Sequence, residues 1–367
     1  MSVSNKLRSG VLFLVIGVGS ALAFSPGHAG LQPARILSAD TRQAVNQGVE
    51  LERSRKWLDA VVHYEKSVKQ YPDCGELQSG MRRAKVHFSV DRRYCDGSFH
   101  RSLLTQSRAE AMTLFDDILN RTQSHYVEPI SLTSFVAHGT ESLYQALDES
   151  RFLEENVPAD RRDQAASVRS ELSRPGEYWN RKINDRDDAR RFIDQVCRLC
   201  HRELGLDAVP VVMEYVFGGC NALDDYSSLL TPGRYNDLMS NIRGEFVGLG
   251  VEIKGEPEQG LLLVNVLPGS PAAEGGLLPG EHIVSIDGRD VTNATTDEAA
   301  SYLQGAAGSK VTLEVARGAG GQTRRITLVR RPVEIKSIPV AELIEQRSGV
   351  GYIQLSSFQD STVPELD

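Results

Sequence analysis

Between Gly244 and Arg331 the chain reads as an unbroken series of short strands and tight turns, and the opening of that series constrains the fold most. In Glu245-Phe246-Val247-Gly248-Leu249-Gly250-Val251-Glu252-Ile253, two glycines bracket one apolar residue just ahead of an alternating strand. Glycine lets the backbone turn there, so that the successive N–H groups of Leu249, Gly250 and Val251 converge on one concavity suited to an anion. The run Leu261 to Leu267 is a second strand, ended by Pro268-Gly269-Ser270-Pro271, which leads into a short helix. Gly280 to Ile286 alternates again and closes at the Asp287-Gly288 hairpin turn. Thr296 to Leu303 forms a helix, with Ala299 and Leu303 as the wall of a groove, and Lys310 to Arg317 and Arg325 to Val329 supply the closing strands.

These elements, in this order, resemble a PDZ domain. The resemblance implies that Gly248, Leu249, Gly250 and Val251 form a carboxylate-binding loop, and that the ligand is an extended peptide with a free, apolar C-terminus added to a sheet edge. No metal and no cofactor is expected.

A length of 367 residues with 40% hydrophobic residues allows two or three domains. The formal net charge of −8, with no cluster of Lys and Arg interleaved with aromatics, argues against a nucleic-acid partner. Lys6 and Arg8 precede an apolar stretch from Val11 to Phe24 and small residues at Ala21-Leu22-Ala23 and Gly27-His28-Ala29. This is the layout of a secretory signal, residues 1–23, and the stretch is shorter than the ~20 residues that span a bilayer. The expectation is an exported protein in a periplasmic or other extracytoplasmic space; an uncleaved anchor, with membrane association, is the alternative. The five cysteines, Cys74, Cys95, Cys197, Cys200 and Cys220, are irregularly spaced and leave one over if pairs form, which excludes a disulfide-framework protein.

Residues 41–95 read as helices. Ala44, Gly48 and Leu51 lie on a first, Ala60, Tyr64 and Ser67 on a second, Pro72 ends the pair, and Glu76 to Phe88 caps it. The small residues permit close approach and Leu51 and Tyr64 fill the space between, a pattern resembling one tetratricopeptide repeat and implying a surface for a protein partner. A second helical region spans 105–240. Ser107-x-x-Glu110 is a capping box ahead of Met112, Phe115, Ile118 and Leu119, and Ser131 starts a helix carrying Phe135, Val136, Leu143 and Leu147. Residues 151–188 are rich in charge and poor in apolar side chains, so they are expected to form a solvated linker or exposed helix. Two further helices follow, Ala189 to Leu204, stopped by Gly205, and Val209 to Ala222.

Cys197-Arg198-Leu199-Cys200-His201 matches the haem-attachment pattern, but only about twenty residues separate it from the next motif. The same cysteines stand beside Phe192 and Val196 on an amphipathic stripe, where buried thiols act as small hydrophobes. Core packing is expected, with a disulfide or metal role, and after it haem attachment, as the alternatives. His63, His87, His100, His125, His138 and His282 stand apart without ligand spacing. No Gly-x-Ser-x-Gly elbow and no His-Glu-x-x-His is present.

Asn221-Ala222-Leu223-Asp224-Asp225-Tyr226-Ser227-Ser228-Leu229-Leu230-Thr231-Pro232, the loop at Gly248 to Gly250 and the later Gly351-Tyr352-Ile353-Gln354-Leu355-Ser356-Ser357-Phe358 resemble the carboxy-terminal processing proteases, also called tail-specific serine peptidases. Phe115 to Leu147, with Tyr126-Val127-Glu128-Pro129, is similar to the helical region of the same family, so that the resemblance covers most of residues 112–367. Two departures stand out. Tyr126 and Asp224 lie 98 residues apart, an expansion of a usually compact region. The family's Ser/Lys dyad is placed downstream of the Gly-Tyr-Ile strand, so no residue here is assigned as nucleophile or base, and this chain alone is expected not to cleave peptide bonds. The fold class expected is multidomain α+β: tetratricopeptide-like helices, a helical region, a PDZ β-barrel-like domain over 244–331, and at 332–367 the first strand of an α/β peptidase core. The function implied is an exported C-terminal processing serine endopeptidase; the alternative is a non-catalytic adaptor binding two protein partners through its helices and its PDZ domain.

Overall fold

The computed structural model describes residues 13–15, 38–224, 227–294, 296–317, 323–334, 336–345 and 349–367. The expected signal segment lies outside the described residues except for β1 (Phe13–Val15), which pairs antiparallel with β2 (Ser227–Leu229). Tyr226 of the Leu-Asp-x-Tyr-Ser run also lies outside them. The chain divides into two compact units, Met1–Tyr94 with Ser98–Leu230, and Thr231–Asp367 with Cys95–Gly97.

The first unit is helical. Its N-terminal part contains α1 (Ala39–Arg53), α2 (Trp57–Gln70) and α3 (Gly75–Tyr94), at the positions expected from the small-residue pattern. Tyr64 is the pivot of this group. It is buried, a Cβ added to Gly48 or Gly80 would stand 2.4 Å from its ring, and its hydroxyl donates to Glu52 Oε1 at 2.6 Å. Glycine on two helices therefore admits one aromatic ring between them, with Ala60, Cys74, Leu77 and Ala84 closing the cluster.

After a short helical turn, α4 (Gly97–Phe99), come α5 (Arg108–His125), α6 (Leu132–Ala146), α7 (Ser150–Asn156), α8 (Ala165–Leu172), α9 (Arg186–Leu204) and α10 (Ala208–Gly219). The Ser107/Glu110 capping box forms, and Gly205 ends α9 in a left-handed conformation at φ 67°. One large core joins these helices through Phe115, Phe135, Phe192, Tyr215 and their neighbours. Phe115 and Phe135 meet edge-on with ring centroids 6.0 Å apart, as do Phe192 and Tyr215 at 6.2 Å.

The expectation of a solvated linker at 151–188 is corrected here. Phe152, Val157, Ala165, Val168, Leu172, Tyr178 and Ile183 are all buried in the same core. Apolar residues in this segment are few, but Phe152, Ala165, Val168 and Leu172 lie on the inward faces of short helices and Val157, Tyr178 and Ile183 reach the core from the connecting turns.

The second unit is built on antiparallel strands. After α11 (Pro232–Arg243) come β3 (Glu245–Gly248), β4 (Val251–Glu256), β5 (Gly260–Val266), α12 (Pro271–Glu274), β6 (Glu281–Ile286), β7 (Arg289–Asp290), α13 (Thr296–Leu303), β8 (Lys310–Arg317), β9 (Thr323–Val329) and β10 (Arg331–Glu334). The main sheet has the order β4-β5-β6-β8-β9, with β7 paired to β6, so β4 is an edge strand. β3 and β10 pair antiparallel and bring the two ends of the domain together. Leu249, Leu261, Leu263, Ile283, Val291, Ala299, Val311 and Leu313 fill the space enclosed by sheet and helix. Beyond this, β11 (Val340–Glu345) pairs with β12 (Val350–Gln354), and α14 (Thr362–Leu366) closes the described chain. The expected Gly-Tyr-Ile strand is therefore β12, but its antiparallel partner β11 escaped the sequence pattern.

Candidate functional site

The glycine-bracketed loop joins β3 to β4. Gly248, Leu249 and Gly250 are buried and Val251 is half-buried. Gly250 has φ +76°, and a Cβ there would stand 2.2 Å from Ser270 Cβ, so glycine is required both for conformation and for space. The direction of the peptide planes follows from their carbonyls. Leu249 O accepts from Ala272 N at 2.9 Å and Gly250 O accepts from Leu267 N at 2.9 Å. In a trans peptide the N–H points opposite to the preceding C=O, so the N–H groups of Gly250 and Val251 turn away from α12 and β5. Ser270 reinforces this arrangement: its hydroxyl accepts from Ala273 N at 3.2 Å to cap α12 and donates to Gly250 O at 3.4 Å.

Along β4 the geometry continues. The one irregularity in the β4–β5 ladder places Val264 as the extra residue on β5, so the alternation along β4 is unbroken. Gly255 N–H is directed off the sheet edge, where Thr296 Oγ1 at the start of α13 accepts it at 2.9 Å. Ile253 and Val251 share that edge by alternation. The other side of the opening is α13, from which Ala299 and Leu303 reach the core and are 0% and 7% exposed. Loop and helix thus lie at opposite margins of one edge strand, a place where an extended segment can add main-chain hydrogen bonds and insert an apolar side chain.

Other residues singled out in the sequence fall elsewhere. Cys197 and Cys200 are buried in the helical core, and burial pushes the Cys197 thiol up to about 12 and Cys200 higher still, so neither is a ready thiolate. Among the described residues no cluster of three or more His, Cys, Asp or Glu side chains is placed to hold a metal ion. His87 is buried against Trp57, ring centroids 4.0 Å apart, and shares a hydrogen bond with Glu149; His282 bonds Glu256 Oε2 through Nε2 at 3.0 Å. Ser227 Oγ is buried with no hydrogen-bond partner among the described residues, and Ser356 Oγ donates to the Ser337 and Lys336 carbonyls. In the helical unit, Tyr126, Glu128, Arg82, His138, Glu141 and Trp179 line a separate cavity of about 820 Å³. Thr296 and Asn293, whose side chains bond the β4 region, carried no signal in the sequence, because a polar residue at or before a helix start looks the same whether or not a distant strand lies against it.

Residues 263–317 match the family model of the PDZ domain. A carboxyl-terminal-processing protease of Synechocystis is 35% identical over 146 residues, 39% of this chain and 34% of that protein. The chloroplastic carboxyl-terminal-processing peptidase 2 of Arabidopsis thaliana is 34% identical over 148 residues, 38% of this chain and 28% of the relative. The solved PDZ domain of the carboxy-terminal protease of Vibrio cholerae, in complex with peptide, is 24% identical over 25% of this chain and 99% of that chain, with a TM-score of 0.22. The chain spans about a third of the length of the curated relatives it matches. It is a relative of the carboxyl-terminal-processing proteases, and it carries a PDZ domain.

Proposed function

We propose that this chain serves an exported C-terminal-processing serine peptidase, in which the groove between β4 and α13 captures the free C-terminus of a protein substrate. One observation carries the reading: two successive peptide planes, anchored by Ala272 and Leu267, turn the N–H groups of Gly250 and Val251 away from their own sheet at the head of an edge strand. Oriented N–H groups at that point supply charge-assisted hydrogen bonds to a terminal carboxylate, and the apolar wall at Leu249, Ala299 and Leu303 favours an apolar last residue. Capture alone does not accelerate hydrolysis, since a bound substrate gains rate only from interactions stronger in the transition state. A serine hydroxyl attacks only when a base removes its proton, a task a lysine performs when burial lowers its pKa. Among the described residues, neither Ser227 Oγ nor Ser356 Oγ is hydrogen-bonded to a lysine side chain.

Titration of the full chain with a peptide ending in an apolar residue, as free acid and as C-terminal amide, tests the capture step. The acid is expected to bind about 10- to 100-fold tighter, the equivalent of about 1.5–3 kcal/mol for a charged hydrogen bond. Equal affinities remove the reading. Peptidase activity is tested in the protein that carries this chain: an unfolded protein with an apolar tail is expected to be cut, and the same protein with its tail amidated to survive. Export rests on Lys6, Arg8 and the apolar stretch that follows. Mass spectrometry of the secreted product is expected to find a mature start near Phe24 or Gly30, and an intact Met1 would refute it.

A further inference from the structure

The cavity of the helical unit plays no part in tail capture and has a chemistry of its own. The charged side chains that line it are Arg82, Arg83, Glu128 and Glu141, two of each sign, so with a neutral His138 its walls carry no net charge. Glu141 is only 7% exposed, and its Oε2 accepts from Arg82 Nε at 3.0 Å and from Arg82 Nη2. Among the described residues, Glu141 Oε1 and Arg82 Nη1 make no hydrogen bond. His138 Nδ1 lies 3.5 Å from Arg82 Nη2 and 3.6 Å from Glu141 Oε2, which leaves Nε2 as the ring nitrogen open to a ligand. Arg83 is fixed in the same way: its Nε and Nη2 donate to the two oxygens of Glu52 at 3.2 and 3.0 Å. Planar groups anchored along one edge therefore offer the other, a donor beside an acceptor.

A flat apolar wall stands among them. Trp179 lines the cavity from a tight turn, in which its N–H donates to Arg174 O at 3.1 Å, its carbonyl accepts from Gly176 N at 2.8 Å, and Asn180 after it is left-handed at φ +55°. The indole meets Tyr144 edge-on, ring centroids 5.8 Å apart, so it is held in place before any ligand arrives.

We propose that this cavity binds a short neutral oligosaccharide, with Arg82, Glu141 and His138 on its hydroxyls and Trp179 against a ring face. A pyranose presents adjacent hydroxyls, each both donor and acceptor, around a ring whose C–H face is apolar. Forked planar groups meet the first and an aromatic ring covers the second. Balanced charge gives neither an anion nor a cation an advantage there. The walls supplied by α3 and α6 are helical and use their backbone groups within the helix, so an extended peptide finds no strand edge to join. The volume of about 820 Å³ falls within the range of small-molecule sites, roughly 300 to 1,000 Å³. The helical unit thus has a ligand of its own, whatever the groove of the sheet unit takes.

The test is titration of the full chain with maltotriose, cellotriose and chitotriose, with inorganic phosphate and trilysine as charged probes. Trp57 and Trp179 are the two tryptophans of the chain, so Trp57→Phe leaves Trp179 emission as a reporter of the cavity. At least one trisaccharide is expected to bind with a Kd of about 1 mM or tighter and to shift that emission, while phosphate and trilysine leave it unchanged at about 10 mM. By calorimetry, Trp179→Ala and Glu141→Gln are each expected to weaken sugar binding by about 10-fold or more, and Trp179→Phe, which keeps a smaller ring, by about 2- to 5-fold. Helical circular dichroism shows which variants are folded. One that loses its helical signal is replaced by Ser134→Ala, whose hydroxyl lines the same cavity and whose loss is expected to cost about 2- to 5-fold. No trisaccharide bound at about 10 mM, an affinity unmoved in every folded variant, or a charged probe bound more tightly than every sugar overturns the proposal.

Discussion

The helical unit and the sheet unit place their polar chemistry in opposite ways. In the core of the helical unit it is made of side chains and sealed: Arg93 Nη2 donates to both oxygens of Glu214 at 2.7 and 2.6 Å, Ser142 Oγ donates to the same carboxylate at 2.6 Å, and Arg93 and Glu214 are 4% and 0% exposed. The Arg93 guanidinium also lies 4.8 Å from the centroid of the Phe217 ring. In the sheet unit the groove is made of backbone groups at an edge, aimed by hydrogen bonds on their far side. The first arrangement holds α3, α6 and α10 together and offers nothing to solvent; the second is available to a ligand because a strand edge keeps donors and acceptors that its own sheet does not use. It follows that side-chain substitutions should break the helical unit, whereas the groove yields chiefly to changes that move its backbone.

The strongest test of this contrast is Arg93→Met. It leaves Glu214 charged and buried without its counter-charge, with only hydroxyl donors such as Ser142 Oγ on the carboxylate, which costs about 3–5 kcal/mol. Urea unfolding should show the helical unit destabilised by that amount while acid-peptide affinity of the sheet unit is unchanged, and Arg93→Met with Glu214→Leu should recover most of the loss. Coupled loss of peptide binding would break the comparison.

Gly250→Val reverses the pattern. A side chain there is forced into a left-handed conformation and into Ser270. Peptide affinity is expected to fall by about 100-fold or more, with the unfolding of the helical unit unaltered. Retained binding would mean that the loop is not the anion site.

Alkali should separate the units next. Tyr64, Tyr94 and Tyr215 have pKa values raised well above the ordinary phenol, chiefly by burial, and burial also pushes the Cys197 and Cys220 thiols up to about 12. The folded state favours the protonated form of each, so the unfolded chain gives up these protons first. Their contribution is intact below the unfolded values, about 8.5 for thiols and 10 for phenols, and is lost as pH rises beyond them. Helical circular dichroism should begin to fall above about pH 10, together with the appearance of tyrosinate absorbance. Tyrosinate forming while the helices persist would contradict the burial.

Tyr64→Phe is the smallest expected effect. It removes the hydrogen bond to Glu52 and leaves the ring between Gly48 and Gly80, so about 0.5–1.5 kcal/mol should be lost in thermal unfolding. A loss of several kcal/mol would show that the hydroxyl, and not the ring, organises α1 to α3.

Local order was readable in the chain itself. The Ser107/Glu110 capping box, the stop at Gly205, the helix Thr296 to Leu303 and the strand Lys310 to Arg317 follow from caps, glycines and alternation, which act within a few residues and so leave their mark in a short window of sequence. The glycine-bracketed loop was legible for the same reason, since Gly250 meets a conformational demand at its own position. What lay beyond reach was every pairing between distant segments. The sparse apolar residues of 151–188 looked solvated because nothing local says that Phe152 and Leu172 share a core with Phe192. Glu214, in an otherwise apolar run, had no visible reason until Arg93, 121 residues away, was placed against it. The strand β11 carried little signal because its partner is β12 and its own alternation is weak, and Thr296 stood only as the first residue of a helix until the fold laid Gly255, 41 residues earlier, within reach of its hydroxyl. Sequence determines which residues can turn, cap or alternate; which buried charge meets its counter-charge, and where an open sheet edge ends, is decided only when the chain has closed on itself.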